Sequence, residues 1–419
     1  MTKEILTRHY AIHQACHWAV VGMLVPVLIL IFQFHGLTLK EVGIVMAVWV
    51  GATAVLEIPL GSLADKYGRK LTYLLSLLLN LVGAISLYFA ANIQTFCLTA
   101  IILGAARAVY SGTLDAWFYD YFQASSGTKT FHSASAIVNL MTTLGLAIGA
   151  YLGGLLPNIG IAVLHSANSP YDLNIVATLI GNIGLIILTA LLIKDPSKTK
   201  HSHPDTTIEA NQIVSAAIHN ALKNTQLRRL LQTACIYGMV LISLENFWQP
   251  FLAALLESNG EGADTRLFGG IAAGYLAVAA LSSLAAVSIL RLLKGSHLRL
   301  LMASRALSGS LLIILSQTAS ISTFATYYLL FFFWFTIGSS SEKVLLNTST
   351  ASQHRSTMIS IHSFVVTGGA VLSSLLLSYI AERWGVSSAW LLCGVILTAT
   401  STLFREHRTT TNEIKTVAD

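Results

Sequence analysis

Charge is what this sequence has least of: 11% of its residues are Asp, Glu, Lys or Arg, against roughly a quarter in an ordinary soluble domain. Together with a hydrophobic content of 54%, that scarcity excludes an ordinary water-soluble globular protein. Cysteine is scarce too. Cys16, Cys97, Cys235 and Cys393 fall in four different apolar segments with no CxxC spacing, which excludes a disulfide framework and a zinc-site pattern. There is no nucleophile-base pairing and no firm metal-ligand spacing, so nothing argues for an enzyme, and neither cofactor nor metal is expected. A cleavable leader is also missing. The first apolar run is too long for one and lacks a small-residue cleavage site, so it is expected to remain as a span.

What the chain does have is long apolar runs. A spanning helix needs about 20 such residues, because each rises about 1.5 Å across a hydrocarbon core of about 30 Å. That ruler predicts twelve spans, at about 9–35, 39–64, 71–91, 94–122, 132–156, 173–193, 228–256, 267–293, 298–316, 320–345, 356–381 and 386–404. Orientation follows Lys and Arg placement. With the N-terminus inside, Lys40, Arg266 and Arg383 fall outside and Arg107 within the membrane, while the other 21 of the 25 lie at the inner ends. Both termini are therefore expected in the cytoplasm, with the protein in the cell (inner) membrane. The formal charge of +6 then reflects topology and gives no reason to expect nucleic acid as a partner.

Apolarity collapses in the proline-broken stretch from Lys194 to Asp205, and spaced apolar residues from Ile208 to Leu222 fit an amphipathic interfacial helix. Six predicted spans precede this linker and six follow. The expected organisation is an all-α membrane protein of two six-helix bundles: residues 1–193, a linker at 194–227, residues 228–405, and a tail at 406–419. Such symmetry suits a transporter whose halves rock about a midplane site. His201 and His203 in the linker read as solvated polar residues.

A charge inside a span costs about 2.5 to 3.5 kcal/mol even on the lenient insertion scale, so each one is a functional candidate. Those singled out are Glu57, Arg107, Asp115, Asp120 and Glu245, with Glu342 and Lys343 nearer an end. Arg107, Ser111, Asp115 and Tyr119 recur every four residues, one side of a continuous fourth helix. Arg107 is expected to face a central cavity; the alternative is a permanent ion pair that fixes helix packing. Glu57, Gly61 and Asp65 form a similar stripe on the second helix, beside Pro59, which frees a backbone carbonyl and bends the helix. Glu57 either exchanges protons as its exposure changes or stays neutral and hydrogen-bonded to a neighbour. Glu245, near mid-membrane beside Asn246, Trp248 and Pro250, suits binding or protonation. His9, His13 and His17 share a face of the first helix; hydrogen bonding at the inner interface explains them better than a metal.

Between the second and third spans runs Gly61-Ser-Leu-Ala-Asp65-Lys66-Tyr67-Gly68-Arg69-Lys70, which matches G-x-x-x-D-[RK]-x-G-R-[RK]. This loop resembles the signature of the major facilitator superfamily of secondary transporters. Gly145-x-x-x-Gly149-Ala150-x-x-Gly153-Gly154 resembles the antiporter motif of its drug/proton antiporters, with Ala150 in place of proline. Physically, glycines at this spacing let a neighbouring backbone approach. The resemblance implies gating by Gly61, Asp65, Gly68 and Arg69, with Arg69 paired to Asp120. It further implies proton coupling through Arg107. No such signature occurs in the corresponding loop from Arg291 to Leu298.

The expected function is proton-coupled export of a small organic molecule, drug-like or a metabolite, by alternating access. Glu57, Asp115 and Glu245 are the expected proton carriers and Arg107 their partner. His17, Trp18, Trp117, Asn139, Asn246, Trp248 and Trp334 are candidate cavity residues. The expected partners are the solute, protons and the bilayer, and a monomer is expected. Two rivals stay open: proton-coupled uptake of an organic anion, and a receptor or scaffold without flux.

Overall fold

A computed structural model describes residues 2–61, 63–163, 169–193, 223–260, 264–350 and 354–404. The linker histidines, the stretch from Ile208 to Leu222 and the tail 406–419 lie outside the described residues. Helices are the expected answer to an apolar run, since a helix satisfies its backbone polar groups within one segment. The first half contains α1 (Lys3–Gly22), α2 (Leu28–Phe34), α3 (Leu39–Gly61), α4 (Leu63–Tyr67), α5 (Arg69–Phe89), α6 (Ile93–Tyr110), α7 (Thr113–Ala124), α8 (Phe131–Val163) and α9 (Asp172–Leu192). The second contains α10 (Thr225–Ser258), α11 (Thr265–Leu292), α12 (His297–Leu315), α13 (Ile321–Thr348), α14 (Arg355–Leu372), α15 (Ser378–Trp384) and α16 (Val386–Thr400).

Among the described residues, eleven helices are long and apolar enough to cross a membrane. The predicted first span is the exception: it opens earlier, at Lys3, and turns at residues 23–27 separate α1 from α2. Its first stretch, α1, is also polar, with Thr7, His13, Gln14 and His17 buried. The predicted fourth span is not one continuous helix either. It divides between α6 and α7 at Gly112, whose φ of 69° is left-handed backbone that a side chain disfavours. On the second span, α3 is described to Gly61 and α4 from Leu63, with Ser62 outside the described residues.

Outward faces carry apolar stripes: Leu78, Ile85 and Phe89 on α5, Ile180, Ile183, Ile187 and Leu191 on α9, and Leu281, Leu284 and Leu292 on α11 are exposed. Such continuous surfaces require lipid as their solvent. Helix starts on polar loops are capped by side chains; Asn92 accepts from the Thr95 N–H, and Thr95 Oγ1 accepts from the Asn92 N–H, a capping box.

One apolar core of the first half gathers around Tyr10, Tyr73, Trp117 and Phe118, and a larger one around Phe247, Trp248, Tyr328 and Trp390 also takes in Leu30 and Ala150 of the first half. The N-terminus returns to the turn after α7, where the Lys3 N–H donates to the Ser126 carbonyl. Close contacts between the halves gather at the opposite end. There Gly154 meets Gly269, and Gly43 meets Ser374 and Ser378. Hydrogen bonds run from Asn158 to Asp264 at 3.1 Å, from the Leu39 N–H to Glu382 at 2.9 Å, and from Gln249 to the Val25 carbonyl at 2.9 Å.

Candidate functional site

Arg107 and Glu245 lie within opposite halves of the chain, and both side chains are exposed. Glu245 is nonetheless encircled by protein, and its charge interacts with that of Arg107 and with the hydroxyls of Tyr237, Tyr275 and Tyr328. Among the described residues Arg107 makes no direct ion pair. Its guanidinium lies against aromatic rings instead, 5.4 Å from the Trp18 centroid and 5.8 Å from that of Tyr110, the cation–π arrangement that holds an arginine without neutralising it.

A hydrogen-bonded chain joins Tyr110, one of the rings under this arginine, to Asp115. Tyr110 donates to Gln14 Oε1 at 3.2 Å, Gln14 Nε2 donates to the Tyr10 hydroxyl at 3.0 Å, and Tyr10 donates to Asp115 Oδ1 at 2.8 Å. His17 stacks on Tyr110 at 4.5 Å and meets the Tyr73 hydroxyl through Nδ1 at 2.9 Å. His13 reaches Thr189 through Nε2, also at 2.9 Å. Both imidazoles thus have hydrogen-bond partners on other helices.

Ser111, at the break between α6 and α7, donates to Glu57 Oε1 at 2.5 Å. Glu57 therefore bonds to a neighbouring helix while its side chain stays exposed. At the end nearer the termini, Arg69 Nη1 and Asp120 Oδ2 are 2.6 Å apart, bracing α5 against α7. Gly68 opens α5 with a φ of 92°, a left-handed turn that explains glycine there. Gly61 closes α3 in open space. Asp65 lies on α4, and its side chain is outside the described residues.

The glycine run on α8 is a packing face. Side chains at Gly145, Gly149 and Gly153 would collide with the backbone of Ala15, Ala19 and Met23, and one at Gly154 with Gly269. The same four-residue step on both helices lets α1 lie directly on α8, and α8 continues without interruption through Ala150.

The candidate cavity residues divide. Trp18 touches Arg107, and His17 backs Tyr110. Trp117 and Trp248 are buried at 1% and 2% exposure, inside aromatic packing. Asn246 is buried with Nδ2 directed at Ser374 Oγ, 3.4 Å away. Asn139 is exposed, its carbonyl accepting from Thr143 at 3.0 Å. Trp334 packs with Phe333, Ile337 and Leu300.

Glu342 stands out in the sequence, but its partners Arg305 and His362 do not. Arg305 and Glu342, 1% and 3% exposed, form a buried ion pair between α12 and α13. His362 on α14 joins them, with Nε2 3.2 Å from Glu342 Oε1. Arg305 also lies 5.2 Å from the ring centroid of Tyr237, which stacks on Phe335. A signal was there: Arg305 falls well inside the predicted span 298–316, the same criterion that selects Arg107.

Several proteins resemble this chain. It is 29% identical to the uncharacterized MFS-type transporter YdeE of Escherichia coli (strain K12) over 137 residues, 33% of this chain and 32% of that protein. Against the quinolone resistance protein NorA of Staphylococcus aureus it is 25% identical over 184 residues, 43% of each. The matched stretches thus span less than half the length of these curated relatives. Two solved structures share the fold: the nucleoside transporter NupG, with a TM-score of 0.77 at 14% identity over 95% of this chain and 98% of that one, and a bacterial homolog of the human lysosomal transporter Spinster in an inward-facing, unoccupied conformation. The latter has a TM-score of 0.70 at 14% identity, over 96% of this chain and 94% of that one. The family model described as Major Facilitator Superfamily matches residues 11–353. With that match over most of its length, this multi-pass membrane protein belongs to the Major Facilitator Superfamily.

Proposed function

We propose that the chain is a proton-coupled secondary active transporter that exports a small organic molecule by alternating access of two six-helix bundles. The observation that carries this reading is the pair Arg107 and Glu245: opposite charges in opposite halves of the chain, each within electrostatic reach of the other, each with an exposed side chain, and with no direct ion pair between them. Proton binding at Glu245 removes its attraction for Arg107, and that difference can bias one arrangement of the halves over another. Glu57 and Asp115 act as further proton carriers, each already held by one neutral donor, Ser111 or Tyr10. Asp65, Gly61, Gly68, Arg69 and Asp120 form the gate at the end carrying the termini. The Lys and Arg distribution supports a cytoplasmic location for that end, in a protein of the inner membrane. Likeness to a quinolone resistance protein and the glycine run on α8 support the drug/proton antiporter branch and hence export.

Inverted membrane vesicles test the direction. With an inside-acid gradient, labelled norfloxacin or labelled benzoate should accumulate, and collapsing the gradient should release it. Uptake of the same solutes by right-side-out cells, with none by inverted vesicles, would sink export in favour of uptake. Cellular function that survives both Glu57→Gln and Glu245→Gln would point to a receptor or scaffold.

A further inference from the structure

The second half contains a cavity of about 340 Å³ whose wall includes Tyr237, Glu342, Lys343, His362, Ser363 and Thr367. It lies toward the end carrying the termini: Glu342 is six residues from the close of α13, and His362 seven from the start of α14. Both are thus about 10 Å from their helix ends. Its size falls at the small end of ligand clefts, which run from about 300 to 1,000 Å³.

The wall is not electrically neutral. The charge of Glu342 is answered by Arg305 behind it. His362 is committed to the same carboxylate through Nε2, which as the donor leaves Nδ1 as the free ring nitrogen. Lys343 is left over. Its side chain is exposed on the cavity wall and has no carboxylate partner among the described residues. A lysine extended to headgroups would account for charge at a helix end, but not for its place beside two unused donors. Serine and threonine hydroxyls inside these spans usually donate back to a carbonyl one turn earlier, as Thr178, Thr189 and Ser308 do. Ser363 and Thr367, four residues apart and so on one face of α14, donate to nothing among the described residues. One uncompensated ammonium and two idle hydroxyls thus border a space with Val366 and the Tyr237 ring as its apolar wall.

We propose that this cavity is a binding subsite for the carboxylate of a small organic acid, with Lys343 as its counter-charge and Ser363 and Thr367 as hydrogen-bond donors. The Arg305–Glu342 pair serves as a positioning element: it neutralises the one acid on the wall, which otherwise would repel the ligand. The subsite names the class of cargo for the transport reading and rests on it only in that respect. Binding is measured without flux, so a failure of export leaves the result of the binding experiment intact.

The experiment is thermal unfolding of the purified full chain in neutral detergent with benzoate, salicylate and hexanoate, each compared with its uncharged amide. At least one acid should stabilise the protein where its amide does not. Lys343→Gln should weaken that acid by about tenfold or more, the value of one charge-assisted bond, and Lys343→Arg should restore it. Adding Ser363→Ala and Thr367→Val to Lys343→Gln should weaken it further than Lys343→Gln alone. Lys343 is exposed, so its variants are expected to fold, which their unliganded unfolding temperature checks directly. Equal stabilisation by acid and amide, or no acid effect, overturns the proposal. So does a Lys343-dependent response to phosphatidylglycerol alone, which makes the cavity a lipid-phosphate site.

Discussion

Arg107 and Glu245 come from opposite halves of the chain and lie within electrostatic reach of each other without forming an ion pair. An ion pair in contact would hold the halves together permanently, whereas a longer-range attraction can be switched off by one proton. Glu245→Gln is therefore expected to abolish accumulation driven by a proton gradient while leaving solute exchange at equal pH. Counterflow in proteoliposomes with and without a gradient separates the two. Equal loss in both assays would instead make Glu245 a solute contact.

The buried pair of Arg305 and Glu342 should behave differently. Removing one partner strands a charge in a dry site, at a cost of about 3 to 5 kcal/mol. Glu342→Gln should lower the unfolding temperature sharply. The double variant Arg305→Met with Glu342→Leu should lose much less than the sum of the two single losses. A double-mutant cycle measured by thermal unfolding gives the coupling directly.

Arg69 and Asp120 are joined at 2.6 Å but are partly exposed, a setting in which an ion pair contributes only about 0 to 1 kcal/mol. Arg69→Ala should leave stability nearly unchanged and reduce transport. Exchanging the charges, Arg69→Asp with Asp120→Arg, should recover part of the rate. A single variant with normal transport would remove the pair from any gate.

Two glycines offer a matched comparison. A Cβ at Gly149 meets the Ala19 backbone, whereas one at Gly184 meets open space. Gly149→Ala must push α1 from α8, with an expected loss of about 1 to 3 kcal/mol. Gly184→Ala in mid-helix should be neutral or stabilise by about 0.5 to 1 kcal/mol. Thermal unfolding of the two variants side by side is sufficient.

Most of the spans and the loop at 61–70 were legible because they rest on local pattern, apolar length and glycine placement, whereas the contact between Arg69 and Asp120 was expected only from the family resemblance of that loop. The glycine spacing on α8 likewise announced a close approach, though not that α1 would fill it. What stayed hidden depends on partners far apart in sequence. Tyr10 and Gln14 look like ordinary helix residues until Asp115 and Tyr110 are placed beside them. Ser111 seemed part of a continuous stripe, but Gly112 breaks the helix there and turns the hydroxyl toward Glu57. Arg305 was visible as a charge inside an apolar run, yet its pairing with Glu342, 37 residues away, needs two neighbouring helices to be aligned.

The contacts at the end remote from the termini have an energetic consequence. Apart from backbone packing at glycines, the polar part of that closure includes the exposed bonds from Asn158 to Asp264 and from Leu39 to Glu382. Each contributes a net of about 0.5 to 1.5 kcal/mol, so releasing both costs about as much as one elementary charge gains by crossing a potential of 100 mV, about 2.3 kcal/mol. Under the proposed proton-coupled cycle, these bonds are weak enough for the work of a single ion to release them.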